Sequence, residues 1–314
     1  MLVVYHIFLL TFAESKSIFI MEIIYHYTSV DSLLGMLSNS TFDNPQFTFW
    51  ASHCLFLNDL EERRKGEKLC LQLLPSVEEE LSIPVDERIS TYIDDDKFQK
   101  MMSSSLKDLE SEIMNHVSIY VISFSKKRDF LPMWNLYSQN GNGIALGFDR
   151  VPMREDLTTL SFAIPYCTYN ADIHDLKNEI KSIYLECKIT EVGAIDILKR
   201  KGLNEKQLKV ASCAMTLAWL FNTVAVKIKS DFFSYEEEAR IITQENRTVK
   251  FRNSKGNIIP YMEIPISAKY LKEIIIGPTQ DYERIIIPIS KFLKSKGIDP
   301  SSILIEKSKA PFRS

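Results

Sequence analysis

The stretch "DFFSYEEEARIIT", residues 231–243, joins three consecutive acids to an apolar, β-branched run. That composition predicts a strand. Alternate side chains of a strand share a face, which would place Glu236, Glu238 and Arg240 on one side. Two carboxylates about 7 Å apart on one face repel each other. The pattern therefore predicts either a site that stabilises developing positive charge or a charged edge strand that Arg240 neutralises.

A second informative stretch, "EIIYHYTSVDSLLGML", covers residues 22–37. Its first six residues predict a strand, and apolar residues at helical spacing follow. Thr28 and Asp31 have the spacing of a capping box for that helix. His26 lies near the end of the strand between two tyrosines. A histidine so placed is either a packed core residue or a group that hydrogen-bonds a sugar hydroxyl without titrating.

The remaining sequence intersperses strands and helices without the regular alternation of a doubly wound sheet. Strands are predicted at 47–52, 117–125, 143–149, 162–169, 272–278 and 302–308, and helices from about 58, at 129–140, over most of 170–229 and up to about 296. This order predicts one α+β domain over residues 21–314. Its β-sheets are expected to be small, split, and antiparallel or mixed, with helical insertions at about 76–112 and 170–229.

Length and composition narrow the class of protein. The chain has 314 residues, is 45% hydrophobic and 25% charged, and carries a net charge of -3. These values are typical of a soluble globular protein without a global positive field for nucleic acid. Five cysteines are scattered without metal-ligand spacing, which argues against a disulfide framework and a zinc site. We therefore expect a cytoplasmic protein and predict no metal.

Two apolar segments are not predicted to cross a membrane. Residues 1–20 are too short an apolar run and lack a basic start, and Met21 follows them directly. We interpret 1–20 as a non-native or disordered extension and place the start of translation at Met21, with a degenerate signal peptide as the alternative. Residues 210–226 carry no charge, but their polar side chains favour a buried core helix.

Other candidate residues each have a structural and a functional interpretation. Trp134 and Tyr137 lie three apart on a predicted helix, as in a core stripe or an aromatic platform for a flat ring. Lys229 is either surface charge or a ligand for a diphosphate. Asn58 and Asp59 are helix-capping candidates. The absence of GxGxxG, P-loop, HExxH and GxSxG motifs argues against dinucleotide-binding dehydrogenases, P-loop NTPases and α/β-hydrolases.

Six short pieces, in this order, resemble a widespread bacterial family that is catalogued as a domain of unknown function. They lie between Tyr25 and Pro278 and read "YHYTS", "WASHCLFLNDLEE", "VISFS", "MWNLYSQNGNGIALGFD", "KSDFFSYEEEARII" and "EIIIGP". That family is in turn similar to the ADP-ribosyltransferase superfamily. The resemblance implies an ADP-ribosyltransferase-like fold and NAD as a substrate. It also implies transfer of ADP-ribose to a protein or nucleic acid acceptor, as in a toxin or phage-defence effector with an antitoxin partner.

The resemblance also implies roles for individual residues. His26 matches the first-strand residue of such transferases, and Glu236 and Glu238 match the late E-x-E pair. Glu238 would stabilise an oxocarbenium-like sugar, Glu236 would orient or deprotonate the acceptor, and His26 would bond a ribose. The middle residue stays open between Ser123, Ser125 and Tyr137. The expected NAD-binding residues are His26, Tyr27, Thr28, Ser123, Ser125, Trp134, Tyr137 and Arg240.

Two other functions compete with this expectation. A nucleotide-binding sensor would keep the fold and bind NAD without turnover. An NAD glycohydrolase would use water as the acceptor. For the transferase, we expect Glu238→Gln to abolish nicotinamide release while the fold stays intact.

Overall fold

The structure is a computed structural model that describes residues 21–57, 60–93, 118–159, 162–170, 172–200, 202, 204–254 and 256–312. Three predictions concern residues outside these ranges. They are the extension at 1–20, the capping residues Asn58 and Asp59, and residues 94–112 of the insertion predicted at 76–112.

The described residues form ten strands and eight α-helices. The strands are β1 (Ile23–Thr28), β2 (Gln46–His53), β3 (Ile119–Ser125), β4 (Ile144–Asp149), β5 (Phe162–Ala163), β6 (Glu238–Gln244), β7 (Lys250–Ser254), β8 (Asn257–Ser267), β9 (Leu271–Ile276) and β10 (Leu304–Lys307). The helices are α1 (Val30–Met36), α2 (Leu60–Glu80), α3 (Ile89–Ile93), α4 (Leu131–Tyr137), α5 (Arg150–Thr158), α6 (Ile173–Arg200), α7 (Glu205–Thr223) and α8 (Tyr282–Ser295).

The strands join in one mixed sheet, which confirms the α+β class. Its order is β10-β9-β4-β1-β3-β2-β8-β7, with β6 beside β3 and β5 beside β6. Only β9 and β10 pair in parallel among the named strands of the described chain, and α8 connects them as a crossover. This closing β-α-β unit agrees with the prediction. One ten-stranded sheet replaces the two small sheets that the sequence suggested.

The sheet opens beside β3. One edge of β3 pairs with β6 along its whole length, from Ile119 to Ser125. The other edge is shared, because β2 pairs with it at Tyr120 and Val121, whereas β1 pairs with it at Ser125. No pairing between β1 and β2 occurs in the described strands. A gap therefore separates these two strands opposite the middle of β3.

Each face of the sheet has its own hydrophobic core. Helices α1, α5 and α8 cover one face, which we call the first face, and pack Leu33, Met153 and Leu293 against it. The opposite, second face packs Trp134 of α4 under β1 and β4. Helices α2, α6 and α7 form a helical layer with a separate core that includes Leu74.

Within the helical layer, α2 makes a close backbone contact with the turn that follows α7. A Cβ atom added at Gly66 of α2 would lie 2.5 Å from the carbonyl oxygen of Ala225. Only glycine permits this approach without a shift of the backbone. Ala225 lies in the turn that leads from α7 towards β6, so α2 fixes the position of that turn.

The apolar run predicted as a core helix lies in α7 and the following turn. Residues Gln207–Lys227 are long and apolar enough to cross a membrane, but 56% of the most apolar window is buried inside the protein. Cys213 and Leu220 are part of the core of the helical layer. This burial agrees with the predicted core helix.

Two local predictions are corrected by the structure, and one element was missed. The strand predicted at 162–169 is only Phe162–Ala163, because Pro165 has no N–H to continue a ladder. The helix after β1 is capped by Ser29, whose side chain accepts from the N–H of Ser32, and Thr28 belongs to the strand. The hairpin of β7 and β8 was not predicted.

Candidate functional site

A cavity of about 670 Å³ lies at the gap between β1 and β2. This volume is within the range of about 300–1,000 Å³ that is usual for small-molecule sites. Strands β1, β2, β3 and β6 contribute to its wall, together with α1, α4 and the turn before β6. The predicted site residues that line it are His26, Tyr27, Thr28, Ser123, Tyr137, Glu236, Glu238 and Arg240.

Strand alternation places His26 and Glu238 on opposite faces of the sheet. His26 packs on the first face, where its ring centroid lies 5.1 Å from that of Phe49 and 5.5 Å from that of Phe124. Ser125 is opposite Glu238, and Ser125 is also opposite Tyr25, the neighbour of His26. Glu238 is therefore on the second face. The two residues line one cavity because the gap connects the faces, and they do not sit on one common wall.

The hydrogen bond of His26 defines its tautomer. Nδ1 lies 3.0 Å from the carbonyl oxygen of Ser123, which can only accept, so Nδ1 carries the proton. Burial lowers the pKa of His26, and the bond to Ser123 opposes this only in part. The ring is thus neutral near pH 7, and Nε2 is a hydrogen-bond acceptor.

The same bond explains why a histidine occupies this position. The N–H and C=O of one residue in an antiparallel strand point to the same side, so the peptide of Ser123 points at the gap. Neither β1 nor β2 pairs with Ser123 in the described registers. The imidazole of His26 takes the place of the missing strand and satisfies the Ser123 carbonyl, which would otherwise lack a protein partner.

A cluster of four charged side chains lies on the second face beside the gap. Lys229 Nζ donates to Glu236 Oε2 and to Glu238 Oε2, each at 2.6 Å. Arg240 Nε donates to Glu238 Oε1 at 2.8 Å, and Arg240 Nη2 donates to Oε2 at 3.0 Å. Each of the four side chains belongs to a residue that is at most 7% exposed. Two cations and two carboxylates therefore compensate one another inside the protein.

The charge cluster keeps Glu238 ionised. Burial alone would raise the pKa of this carboxyl, but the charges and hydrogen bonds of Arg240 and Lys229 outweigh burial and hold the pKa at about 2. Tyr137 extends the cluster, because its hydroxyl donates to Glu236 Oε1 at 2.9 Å. Burial raises the pKa of Tyr137, so the phenol remains a neutral donor.

The backbone before β6 differs from the predicted strand. Asp231–Glu236 is a 3-10 helix, Glu237 is left-handed with φ 40° and ψ 57°, and β6 begins at Glu238. A left-handed backbone costs a glutamate roughly 1–2 kcal/mol. This reversal turns the carboxylate of Glu236 towards Lys229 and leaves Glu237 outside, where it pairs with Lys127 at 2.6 Å. The prediction that Glu236 lies on the strand is therefore wrong, although both acids do meet.

Two predicted NAD-binding residues do not line the cavity. Ser125 is fully buried, and its hydroxyl donates to the carbonyl oxygen of Glu236. Trp134 is fully buried as well, and its indole N–H donates to Asp129 Oδ1 at 2.7 Å. Their positions correspond to packing roles. Ser123 and Tyr137 are the two candidates for the middle residue that line the cavity.

Three further side chains line the cavity, and of these the sequence had indicated only Lys229, as one of two interpretations. Lys229 is buried and joins two carboxylates, whereas a lysine is usually interpreted as surface charge. Trp50 and Arg252 line the cavity from β2 and β7. The alternation of "FTFWAS" could have indicated that Trp50 points away from the core, because Phe47 and Phe49 occupy the other parity.

Residues 133–241 match the model of a family described as "Protein of unknown function (DUF2971)". The matched range contains Tyr137, Glu236, Glu238 and Arg240, and it begins after β1, so that His26 lies outside it. The resemblance to a family of unknown function is confirmed over this range. The chain matches no curated protein and no solved structure. The likeness to ADP-ribosyltransferases stays a prediction.

Proposed function

We propose that the protein transfers ADP-ribose from NAD⁺ to a macromolecular acceptor. The observation that carries this proposal is a single cavity lined by a neutral histidine acceptor, His26, and by an ionised carboxylate, Glu238. The split of the sheet beside β3 supports the ADP-ribosyltransferase-like fold as the finer description of the α+β class. A role as a toxin or phage-defence effector, with an antitoxin partner, rests on the resemblance alone, whereas a cytoplasmic location rests on the scattered cysteines.

The chemistry requires an anion near the ribose. Cleavage of the bond between nicotinamide and ribose develops positive charge on the sugar, as in glycoside hydrolysis. Glu238 is suited to stabilise that charge because its pKa of about 2 keeps the carboxylate ionised at neutral pH. Glu236 orients the acceptor nucleophile and takes its proton. The hydroxyl of Tyr137 fixes the Glu236 carboxylate for this task.

The other lining residues hold the dinucleotide. His26 Nε2 accepts a hydrogen bond from a ribose hydroxyl, and Thr28 and Ser123 offer hydroxyl groups at the same gap. The ring of Tyr137, which lines the cavity, stacks on nicotinamide in place of the buried Trp134.

The charge cluster also gives NAD⁺ a way to activate Glu238. Both oxygens of Glu238 already accept hydrogen bonds, one from Arg240 and the other from Arg240 and Lys229. A diphosphate competes with Glu238 for the ammonium of Lys229. When Lys229 moves to the diphosphate, Oε2 of Glu238 loses one cation and its field at the ribose becomes stronger.

The same cluster favours a second candidate, a nucleotide-binding module without turnover. Four buried charges that satisfy one another are also what a purely structural network requires. This alternative predicts NAD⁺ binding without nicotinamide release. Product analysis separates the transferase from a glycohydrolase, because the latter yields free ADP-ribose.

The test is incubation of the purified protein with NAD⁺ labelled on the adenylate phosphate, in the presence of separate pools of protein, RNA and DNA. We expect label in one pool and an equal amount of released nicotinamide. Glu238→Asp keeps the charge but withdraws the carboxylate by one methylene, and we expect it to reduce release at least tenfold. Glu237→Gln is the matched control, since Glu237 is only partly buried and pairs with Lys127 outside the cavity. Equal release by both variants would contradict the role of Glu238.

A further inference from the structure

A group of side chains on β2, β7 and β8 shares the second face of the sheet with Glu238. Trp50 is opposite Glu263, and Ser52 is opposite both Tyr261 of β8 and Val121 of β3. Val121 and Ser123 are two residues apart on β3, so their side chains point to the same face, and Ser123 is opposite Arg240 of β6. The second face is therefore continuous from β7 to β6. Trp50, Ser52, Arg252 and Glu263 all line the cavity described above.

Trp50 presents a fixed aromatic surface within this group. It is 51% exposed although it belongs to a central strand of the sheet. Its ring rests against Tyr261, with centroids 4.7 Å apart and an interplanar angle of 37°. The guanidinium carbon of Arg252 lies 5.8 Å from the Trp50 ring. These contacts hold the indole in place and leave part of it open to a ligand.

Arg252 supplies a positive charge with unused hydrogen-bonding capacity. Its Nη2 donates to Ser52 Oγ at 3.0 Å, whereas its Nε is buried and has no hydrogen-bond partner among the described residues. A buried donor without a partner is unfavourable, so a polar ligand group here is stabilising. Lys250 lies on the same face of β7 and pairs with Glu263 at 2.8 Å, which compensates its charge. Arg252 is therefore available to an anion.

We propose that Trp50 and Arg252 form a subsite for an unpaired nucleobase and its phosphate, and that single-stranded nucleic acid is the acceptor. The step from binding to transfer rests on the proposed function. A flat ring beside a single uncompensated guanidinium matches the two parts of a nucleotide, since a base stacks on the ring and a phosphate pairs with the cation. The net charge of -3 gives no global positive field for nucleic acid, so the proposed contact is confined to a few phosphates.

The transfer is balanced as follows. A nucleophilic atom of the base forms a bond to C1′ of the ADP-ribosyl group while the bond from C1′ to the nicotinamide nitrogen breaks. Nicotinamide leaves as a neutral molecule with the bonding electron pair. The proton of the base nucleophile passes to Glu236 and then to water.

The test uses the full chain and a fluorescent single-stranded RNA or DNA of about 12 nucleotides, a length that covers one stacking site. Binding is followed by anisotropy and by quenching of tryptophan fluorescence. We expect Trp50→Ala to weaken binding at least tenfold and Trp50→Phe to restore part of it. Arg252→Gln should lower the slope of log affinity against log salt by about 0.7, the value for one phosphate of a single strand.

Phe251→Ala is the matched control, because Phe251 is an aromatic residue that is 66% exposed. It lies beside Arg252 on β7, but its side chain is on the opposite face of the sheet. This variant should bind the oligonucleotide as the wild type does. Equal weakening by the Trp50 and Phe251 variants would overturn the subsite. Quenching of Trp50 by NAD⁺ alone to the same extent would overturn it as well, because the indole would then belong to the dinucleotide site.

The two proposals fail in distinguishable ways. If the oligonucleotide binds through Trp50 but labelled NAD⁺ releases no nicotinamide, the subsite stands and the proposed transfer fails. If label appears on protein while the oligonucleotide neither binds nor becomes labelled, the transfer stands and the nucleic acid subsite fails.

Discussion

Replacement of Glu238 by glutamine is expected to destabilise the protein strongly at neutral pH, contrary to the expectation from sequence that the fold stays intact. The change leaves Lys229 and Arg240 with one carboxylate, Glu236, so that a buried cluster gains a net positive charge. Removal of one partner from a buried ion pair commonly costs about 3–5 kcal/mol.

The pKa of Glu238 gives an independent magnitude. The folded protein holds it at about 2, against an ordinary value of 4.5. This difference corresponds to about 3 kcal/mol of stability. Because the pKa is lowered on folding, the contribution is present above pH 4.5 and is lost as the pH falls towards 2.

The assay is urea unfolding followed by tryptophan fluorescence for the wild type, Glu238→Gln and Glu237→Gln. The difference in unfolding free energy between the wild type and Glu238→Gln should shrink by about 1 kcal/mol between about pH 7 and about pH 3.5. Glu237→Gln should cost less than about 1 kcal/mol, because its pair with Lys127 is exposed. A pH-independent difference, or equal costs for both variants, would refute the account of the charge cluster.

Three other changes have defined outcomes. Gly143→Ala would place a Cβ 2.2 Å from the Thr28 carbonyl oxygen, so we expect the unfolding free energy to fall by at least about 2 kcal/mol and the melting temperature to fall with it. An unchanged melting temperature would show that the turn can accommodate the methyl group. His26→Phe keeps an aromatic ring in the core but removes the Nε2 acceptor, and calorimetry should show NAD⁺ binding weakened by roughly tenfold; unchanged affinity would exclude the histidine as a ligand. All five cysteines are buried, so a thiol reagent should modify them slowly in the native protein and completely in urea; rapid labelling before unfolding would disagree with the described packing.

The parts of the fold that were predicted correctly are those with strong local patterns. Alternation in "VSIYVISFS" and the apolar run in "GIALGFD" specify β3 and β4, and both strands are buried on at least one face. The hairpin of β7 and β8 was missed because β7, "KFRNS", is largely exposed and polar, and only a partner strand stabilises it. The sequence also does not indicate that β1 and β2 separate along β3, since pairing is a long-range property.

The sequence predicted which residues form the candidate site better than it predicted how they are arranged. The association of Glu236 with Glu238 followed from their spacing, but the actual arrangement depends on a left-handed Glu237 that no local rule favours in a non-glycine residue. The partner that makes the arrangement stable, Lys229, lies before the 3-10 helix that ends at Glu236. Its burial follows from tertiary packing and has no periodic signal of its own.

The contact of Gly66 with Ala225 connects the helical layer mechanically to the charge cluster. Ala225 is four residues before Lys229, so a displacement of α2 along this contact moves the backbone that carries the ammonium shared by both carboxylates. A displacement of α2 would therefore change how firmly Lys229 is held between Glu236 and Glu238. The absence of a side chain at Gly66 thus couples the position of α2 to Glu236 and Glu238 through Lys229.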